Sequence, residues 1–191
     1  MNSPVELLNR WIAQAGGESR LEAVAMCLAT ADPNGHPSAR MVLLRGLDDR
    51  GLRFYTSYGS RKAHELAANP FAAATFYWPW IERQVRVEGE VKMLAQSVSD
   101  DYFAARPRGH QLAAWASEQS AEIESHALLS ERYEHFEQRF EGQEVPRPHS
   151  WGGYLLVPGY FEFWEGRPNR MHERTAYERS GNDWRSRLLQ P

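Results

Sequence analysis

The sequence predicts an α+β chain, mainly β: an antiparallel barrel with helices packed outside it. Three observations predict this. About eight or nine short runs read as strands. Most of them are joined by tight turns rather than by the long helical crossovers that a parallel sheet needs. And Gln84 to Val91 alternates cleanly, with Val85, Val87 and Val91 on one side and Gln84, Arg86 and Glu88 on the other, as in a half-buried antiparallel strand.

The elements follow in order. Ser3-Pro4-Val5-Glu6 is a capping box with Pro at the first helical position. Val5, Leu8, Trp11 and Ile12 recur at helical spacing, which predicts a helix to about Ala15, ended by Gly16 and Gly17. Ala23 to Thr30 is a small-residue apolar strand. Asp32-Pro33-Asn34-Gly35 turns into the next strand, which holds Arg40 to Arg45. The run RMVLLRGLDDRGLRFYTSYGSRK then gives a hairpin about Asp-Asp-Arg-Gly, and a helix starts at Ser60 with its hydroxyl as N-cap and ends at Asn69-Pro70. Phe71 to Trp78 is an apolar strand stopped by Pro79. Ser97 to Ala105 and Leu112 to Trp115 read as helical, with Asp100 and Asp101 in the first turn of the former. Leu129, Tyr133, Phe136 and Phe140 mark the one long amphipathic helix, its aromatic stripe read as core or subunit contact. The loop QEVPRPHS, 143–150, is too short to separate domains. Three strand-like runs follow, Gly153 to Val157, Tyr160 to Trp164 and Arg170 to Arg179, and a last one from Trp184 to Leu189.

Composition narrows the function classes. The 191 residues suit one domain over 1–191, and 42% hydrophobic with 25% charged residues is an ordinary globular balance. A formal net charge of −3 argues against a broad nucleic-acid surface while allowing a local basic pocket. Cys27 is the only cysteine, so no disulfide framework or Cys-based zinc site forms within one chain. No apolar run approaches a membrane span, and no basic stretch with an apolar core opens the chain, so the expected location is cytoplasmic. Phosphate-loop fingerprints, HExxH, GxSxG and metal-ligand His spacing are absent, and the expected metal content is none. With no nucleophile or metal evident, hard chemistry would fall to a bound cofactor.

Three clusters of candidate ligand-binding residues stand out. In the first, Ser60 is followed by Arg61 and Lys62, two cations at a helix start that normally favours anionic side chains. A phosphate seated among them would reconcile the pattern, and Arg40 and Arg45 add two more cations nearby; solvated surface charge is the alternative. The second is Tyr102, Arg106, His110, Gln119 and Ser120. Tyr102 and Arg106 are four apart, on one face if helical, and a hydroxyl beside a guanidinium fork suits a phosphate dianion. The third is WEGRPNRMHER, 164–174, where Arg170, His172 and Arg174 alternate and face one way if the segment is a strand, toward either a ligand or water.

Taken together, RMVLLR at 40–45, FYTSYGSRKAHEL at 54–66, ERQVRVEG at 82–89, YFAARPRGHQLAAWASEQS at 102–120 and FWEGRPNRMHER at 163–174 resemble the pyridoxine/pyridoxamine 5'-phosphate oxidase family over nearly the whole chain. The resemblance implies a split form of the barrel, a homodimer with sites at the subunit interface, bound FMN, and oxidation of a phosphorylated B6 vitamer to pyridoxal 5'-phosphate with O2 giving H2O2. It implies FMN contacts from Arg40, Met41, Val42, Leu43, Leu44, Arg45, Tyr55, Thr56, Arg61, Lys62, Gln84, Gln119, Ser120, Trp164 and Arg174. It implies substrate contacts from Arg45, Tyr102, Arg106, His110, Arg170, Met171 and His172, with Arg170 and His172 as the catalytic pair. Arg45 stands where the family usually has Lys, and His110 where it usually has a small Ser, so both departures touch the substrate phosphate. Two alternatives share the scaffold: a related FMN oxidase acting on another substrate such as a phenazine precursor, and a non-catalytic flavin or pyridoxal-phosphate carrier.

Overall fold

A computed structural model describes residues 3–16 and 20–191. The first helix, α1 (Pro4–Ala15), begins as its capping box predicts, with the Ser3 hydroxyl accepting from the Val5 N–H and Gly16 as C-cap; Gly17, the other expected terminator, lies outside the described residues. A short helix, α2 (Arg20–Ala23), leads into β1 (Ala25–Ala31), which starts two residues later than its apolar run suggests. β2 (Pro37–Leu43), β3 (Gly46–Asp48) and β4 (Gly51–Ser57) follow, then α3 (Arg61–Ala68), β5 (Phe71–Trp78) and β6 (Arg83–Met93). Three helices come next, α4 (Gln96–Ala104), α5 (Arg108–Ala116) and α6 (His126–Arg139), then β7 (Trp151–Glu165), β8 (Glu173–Ser180) and β9 (Asp183–Leu189). Because α4 begins at Gln96, Asp100 and Asp101 fall in its second turn rather than its first.

All strand pairs are antiparallel, in the order β2-β1-β5-β6-β7-β4-β3, with β8 on β7 and β9 on β8. The sheet curls until β2 approaches β4, which makes a split barrel with helices around it. Alternation fills the interior: Met26, Leu28, Leu52, Phe54, Phe76, Trp78, Val85 and Phe161 are all fully buried, and α1 adds Leu8. A second, smaller core of Phe103, Leu112, Phe140, Val145 and Trp151 lies under α4, α5 and α6. The aromatic stripe of α6 serves it from the edge, with Tyr133 and Phe136 half-buried against this core and Phe140 buried at the C-cap.

Two C-terminal expectations are corrected. The runs 153–157 and 160–164 are one strand, β7, not two. Pro158-Gly159 reads as a break, yet Pro158 pairs with Gly89 where the β6–β7 register shifts, and a bulge tolerates a residue that cannot donate. Gly89 is required there, since a Cβ would lie 2.0 Å from the Val157 carbonyl oxygen. The second correction concerns 170–174. Pro168–Arg170 forms a 3₁₀ turn, and β8 begins only at Glu173, so Arg170, His172 and Arg174 do not alternate along one strand. Asn169 and Arg170 both take left-handed backbone, with φ of 57° and 61°. Asn adopts that conformation readily; a long side chain does so at a cost of about 1–2 kcal/mol.

Candidate active site

Where β2 closes on β4, a cleft of about 1040 Å³ opens between the barrel and α5. It brings together Arg40, Met41, Val42, Leu43, Arg45, Tyr55, Thr56, Arg61 and Lys62 from the 40–62 stretch with Tyr102, Arg106, His110, Gln119 and Ser120 of the second cluster. Of the RMVLLR run, only Leu44 is turned away, into the barrel core. Ser38, Ser57, Ser117 and Trp151 also line the cleft, without having been singled out from the sequence.

The helix start differs from its expected form. Ser60 is the N-cap of α3, but its side chain caps nothing; its hydroxyl donates to the Ser57 carbonyl at 2.8 Å and accepts from Lys62 Nζ at 3.2 Å. The Lys62 side chain folds inward instead of facing solvent. Its ammonium also donates to Thr56 Oγ1 at 3.0 Å and Gln119 Oε1 at 3.0 Å, and Thr56 donates to the same Gln119 oxygen at 2.7 Å. All three acceptors are neutral. Burial and then the nearby Arg40 charge push the Lys62 pKa down to about 8, against a smaller pull from Glu65. A buried ammonium hydrogen-bonded only to neutral oxygens is a place where an anion gains strongly.

Arg40 and Arg61 are committed differently. Both meet Glu65, a buried carboxylate that the sequence reading passed over although it sits four residues after Arg61, the spacing of a helical ion pair. Arg61 Nε donates to Glu65 Oε1 at 2.8 Å, leaving its two terminal nitrogens for a ligand. Arg40 has less to give: its terminal nitrogens already donate to the Leu28 carbonyl, Thr30, Ser38 and Glu65. Burial raises the Glu65 pKa, but bonds from Ser38, Thr30, Arg61 and Arg40 outweigh it and bring it to about 2.

At the other end of the cleft, α4 stops at Ala104, so Tyr102 and Arg106 do not share a helical face as their spacing suggests; the turn after the helix still delivers both to the cleft. Tyr102 stacks on Tyr55 with ring centroids 3.8 Å apart and planes 9° apart. The Arg106 guanidinium lies over Trp151, 4.5 Å from the ring centroid. Its Nη1 is buried with no hydrogen-bond partner. Burial lowers the Arg106 pKa, and the Arg45 charge lowers it further, against Tyr102. An unpaired buried guanidinium nitrogen beside a second cation fits an anionic ligand group.

The third cluster lies elsewhere. Gln84, Trp164, Arg170, Met171, His172 and Arg174 do not line the cleft. They gather at the far end of β6 and β7, where Gln84 pairs with Trp164 and Trp164 with Arg174. Arg174 is engaged by Glu162, at 2.8 and 2.9 Å, and by the Gln190 carbonyl at 2.9 Å. The His172 ring packs 4.6 Å from Trp164, and its Nδ1 accepts from the Arg167 N–H at 3.2 Å, which leaves the proton of the neutral ring on Nε2. Arg170 and Met171 are exposed. Among the described residues no group of His, Cys, Asp or Glu is arranged to hold a metal, and no helix is long and apolar enough to cross a membrane.

Residues 18–140 match the family model described as pyridoxamine 5'-phosphate oxidase, and residues 151–191 match the pyridoxine 5'-phosphate oxidase C-terminal dimerisation region. A pyridoxine/pyridoxamine 5'-phosphate oxidase of Rubrobacter xylanophilus is 53% identical, covering 98% of this chain and 87% of that protein. One of Cupriavidus necator is 49% identical, covering 98% and 89%. Among solved structures, PhzG from Burkholderia lata 383, in complex with tetrahydrophenazine-1-carboxylic acid, is 35% identical with a TM-score of 0.93, covering 100% of this chain and 94% of that one. A pyridoxamine 5'-phosphate oxidase-related, FMN-binding protein of Nostoc punctiforme shares the fold at 21% identity and a TM-score of 0.79. The chain belongs to the pyridoxine/pyridoxamine 5'-phosphate oxidase family.

Proposed function

We propose that this chain is an FMN-dependent oxidase that converts pyridoxine and pyridoxamine 5'-phosphates to pyridoxal 5'-phosphate, with O2 as electron acceptor and H2O2 as by-product. The observation that carries the reading is the pair of anion positions in one cleft: the Lys62 ammonium held by neutral oxygens alone, and Arg106 with Nη1 unpartnered. A flavin phosphate and a vitamer phosphate would fill them. Residues 1–191 would act as one FMN-binding unit, in a cytoplasmic homodimer.

The chemistry FMN supplies when bound is acceptance of a hydride from C4' of the vitamer and passage of two electrons to dioxygen. The chain's own residues bind and orient. Lys62 and the free nitrogens of Arg61, with Thr56, Gln119 and Ser120, would hold the flavin phosphate end, and the backbone of 40–45 with Tyr55 would border it. Arg45, Tyr102, Arg106 and His110 would hold the vitamer phosphate. Gln84, Trp164, Arg170, Met171, His172 and Arg174 would come from the second copy, since in one chain they stand apart from the cleft. There Arg170 would orient the vitamer ring and His172 would offer its Nε2 proton to a developing negative charge. Fixing two flat rings in reacting geometry is worth several kcal/mol of barrier.

A second reading has a specific support, the similarity to PhzG, whose ligand is a reduced phenazine carboxylate. A carboxylate is also an anion, and Arg106 could take it. One experiment separates the readings: purify the protein, record the flavin spectrum, and supply pyridoxine 5'-phosphate, pyridoxamine 5'-phosphate and a dihydrophenazine carboxylate in air. Peroxide with pyridoxal-phosphate absorbance supports the first reading. Turnover of the phenazine alone replaces it with the second, and a yellow protein that turns over neither is a carrier.

A further inference from the structure

Trp151 lines the cleft but has no part in the ligand contacts assigned above. It is the first residue of β7, buried, and belongs to the second core. Four neighbours are built around its ring. Tyr55 and Tyr102 lie parallel to it at 5.5 and 6.2 Å, with planes 11° and 7° off; Phe103 meets it edge-on at 5.2 Å; and Arg106 lies over its face at 4.5 Å. The backbone at this point is tied down too. Arg147 Nη1 donates to the Trp151 carbonyl at 2.6 Å, and Arg147 Nε donates to Asp100 at 2.6 Å.

We propose that Trp151 is the positioning residue of the vitamer-phosphate subsite, its indole face seating the Arg106 guanidinium beside the Tyr102 ring that Tyr55 holds by stacking. The inference rests on the oxidase reading. Arg106 follows the end of α4, so no helix fixes its side chain, and no carboxylate pairs with it among the described residues. What touches its charge is aromatic: Trp151, and Phe103 at 5.6 Å. The choice of partner matters chemically. A carboxylate would occupy the guanidinium N–H groups and cancel the charge. A ring binds the flat face and leaves the in-plane N–H fork free for phosphate oxygens.

The test uses three binding measurements: pyridoxal 5'-phosphate and unphosphorylated pyridoxal on flavin-loaded protein by equilibrium dialysis, and FMN on the apoprotein by fluorescence. Trp151→Leu keeps an apolar side chain but removes the π face. Expected are about a tenfold loss of pyridoxal 5'-phosphate affinity, with pyridoxal and FMN affinities unchanged, and recovery of most of the loss in Trp151→Phe. Unchanged pyridoxal 5'-phosphate binding overturns the proposal, and so does a parallel loss of all three ligands, which marks a purely structural role. Should Trp151→Leu not fold, Trp151→Met, which also lacks a π face, is compared in wild-type and Arg106→Gln backgrounds. Its effect on pyridoxal 5'-phosphate binding must vanish in the second, and persistence there overturns the proposal equally. A wild-type holoenzyme that does not prefer pyridoxal 5'-phosphate to pyridoxal would sink the vitamer reading itself, whatever the variants do.

Discussion

The cleft around Lys62 and Arg106 and the C-terminal cluster around Arg170 and His172 are held by opposite means. In the cleft, buried charge is fixed by a dense set of short bonds: Lys62 to three oxygens, Glu65 to four donors, Arg106 to an aromatic face. In the C-terminal cluster, Arg170 is exposed on a strained turn, His172 leans on Trp164, and only Arg174 is firmly tied. On the proposed reading, the first arrangement would receive anions within one chain, and the second, which presents its groups outward, would complete a site on another copy. Affinity and turnover should therefore separate cleanly between the two regions.

The widest separation is expected from Arg170→Ala. It should lower kcat/KM for pyridoxine 5'-phosphate by about 10²–10³-fold, the scale of one lost charge-stabilising group, while FMN stays bound; steady-state kinetics beside a flavin spectrum checks both halves. Unchanged turnover would remove Arg170 from the mechanism. Next comes Lys62→Met, expected to raise the FMN dissociation constant roughly tenfold to hundredfold through the loss of charge-assisted bonds, measured by fluorescence titration of the apoprotein. Mixing these two variants, at an FMN concentration that loads the wild-type cleft but not the Lys62→Met cleft, sharpens the comparison further. If each site draws its cleft from one chain and Arg170 from the other, random reassociation rebuilds about a quarter of the sites. If both come from one chain, the mixture stays as inactive as its parents.

The smallest effect is one of pH. Lys62 titrates near 8 in the folded protein, below the ordinary lysine value of 10.5. A phosphate needs the protonated form, so FMN affinity should hold below about pH 8 and fall several-fold by about pH 9. Unliganded stability should move the other way. The unfolded chain binds the extra proton between about 8 and 10.5, so the apoprotein gains stability as pH rises through that window. Flavin titrations and apoprotein melting curves across the range test the pair, and Lys62→Met should flatten both.

The barrel was largely legible. Phe71–Trp78 lies where its apolar run and Pro79 put it, and the valine face of 84–91 is buried as alternation requires. Local pattern fixes such elements because each buries its own side chains. What failed were features set by distant partners. Pro158 looked like a break because its tolerance depends on Gly89, some seventy residues earlier along the chain. The 170–174 run looked like a strand because left-handed backbone at an Arg leaves no mark in sequence. In the site, residue types pointed to phosphate chemistry, but not to which cations were free. Arg40 and Lys62 read alike as single letters, yet one spends its donors on Leu28, Thr30, Ser38 and Glu65 and the other faces only neutral oxygens. Glu65 was within reach of the four-residue helical rule. Trp151 was not, since its importance comes from rings supplied by β4 and α4.

β7 has one more consequence. It runs unbroken from Trp151, in the cleft, to Trp164 and Glu165, beside His172. β6 lines one of its edges from Tyr154 to Glu165, while β4 and β8 share the other. At about 3.3 Å per residue the two tryptophans stand up to roughly 43 Å apart along the strand. The strand is thus a ruler with a marked point at each end. On the proposed two-copy reading it would begin in one catalytic centre and finish in the other, so residue count would set the spacing of the two centres, and a single inserted residue in β7 would put both out of alignment at once.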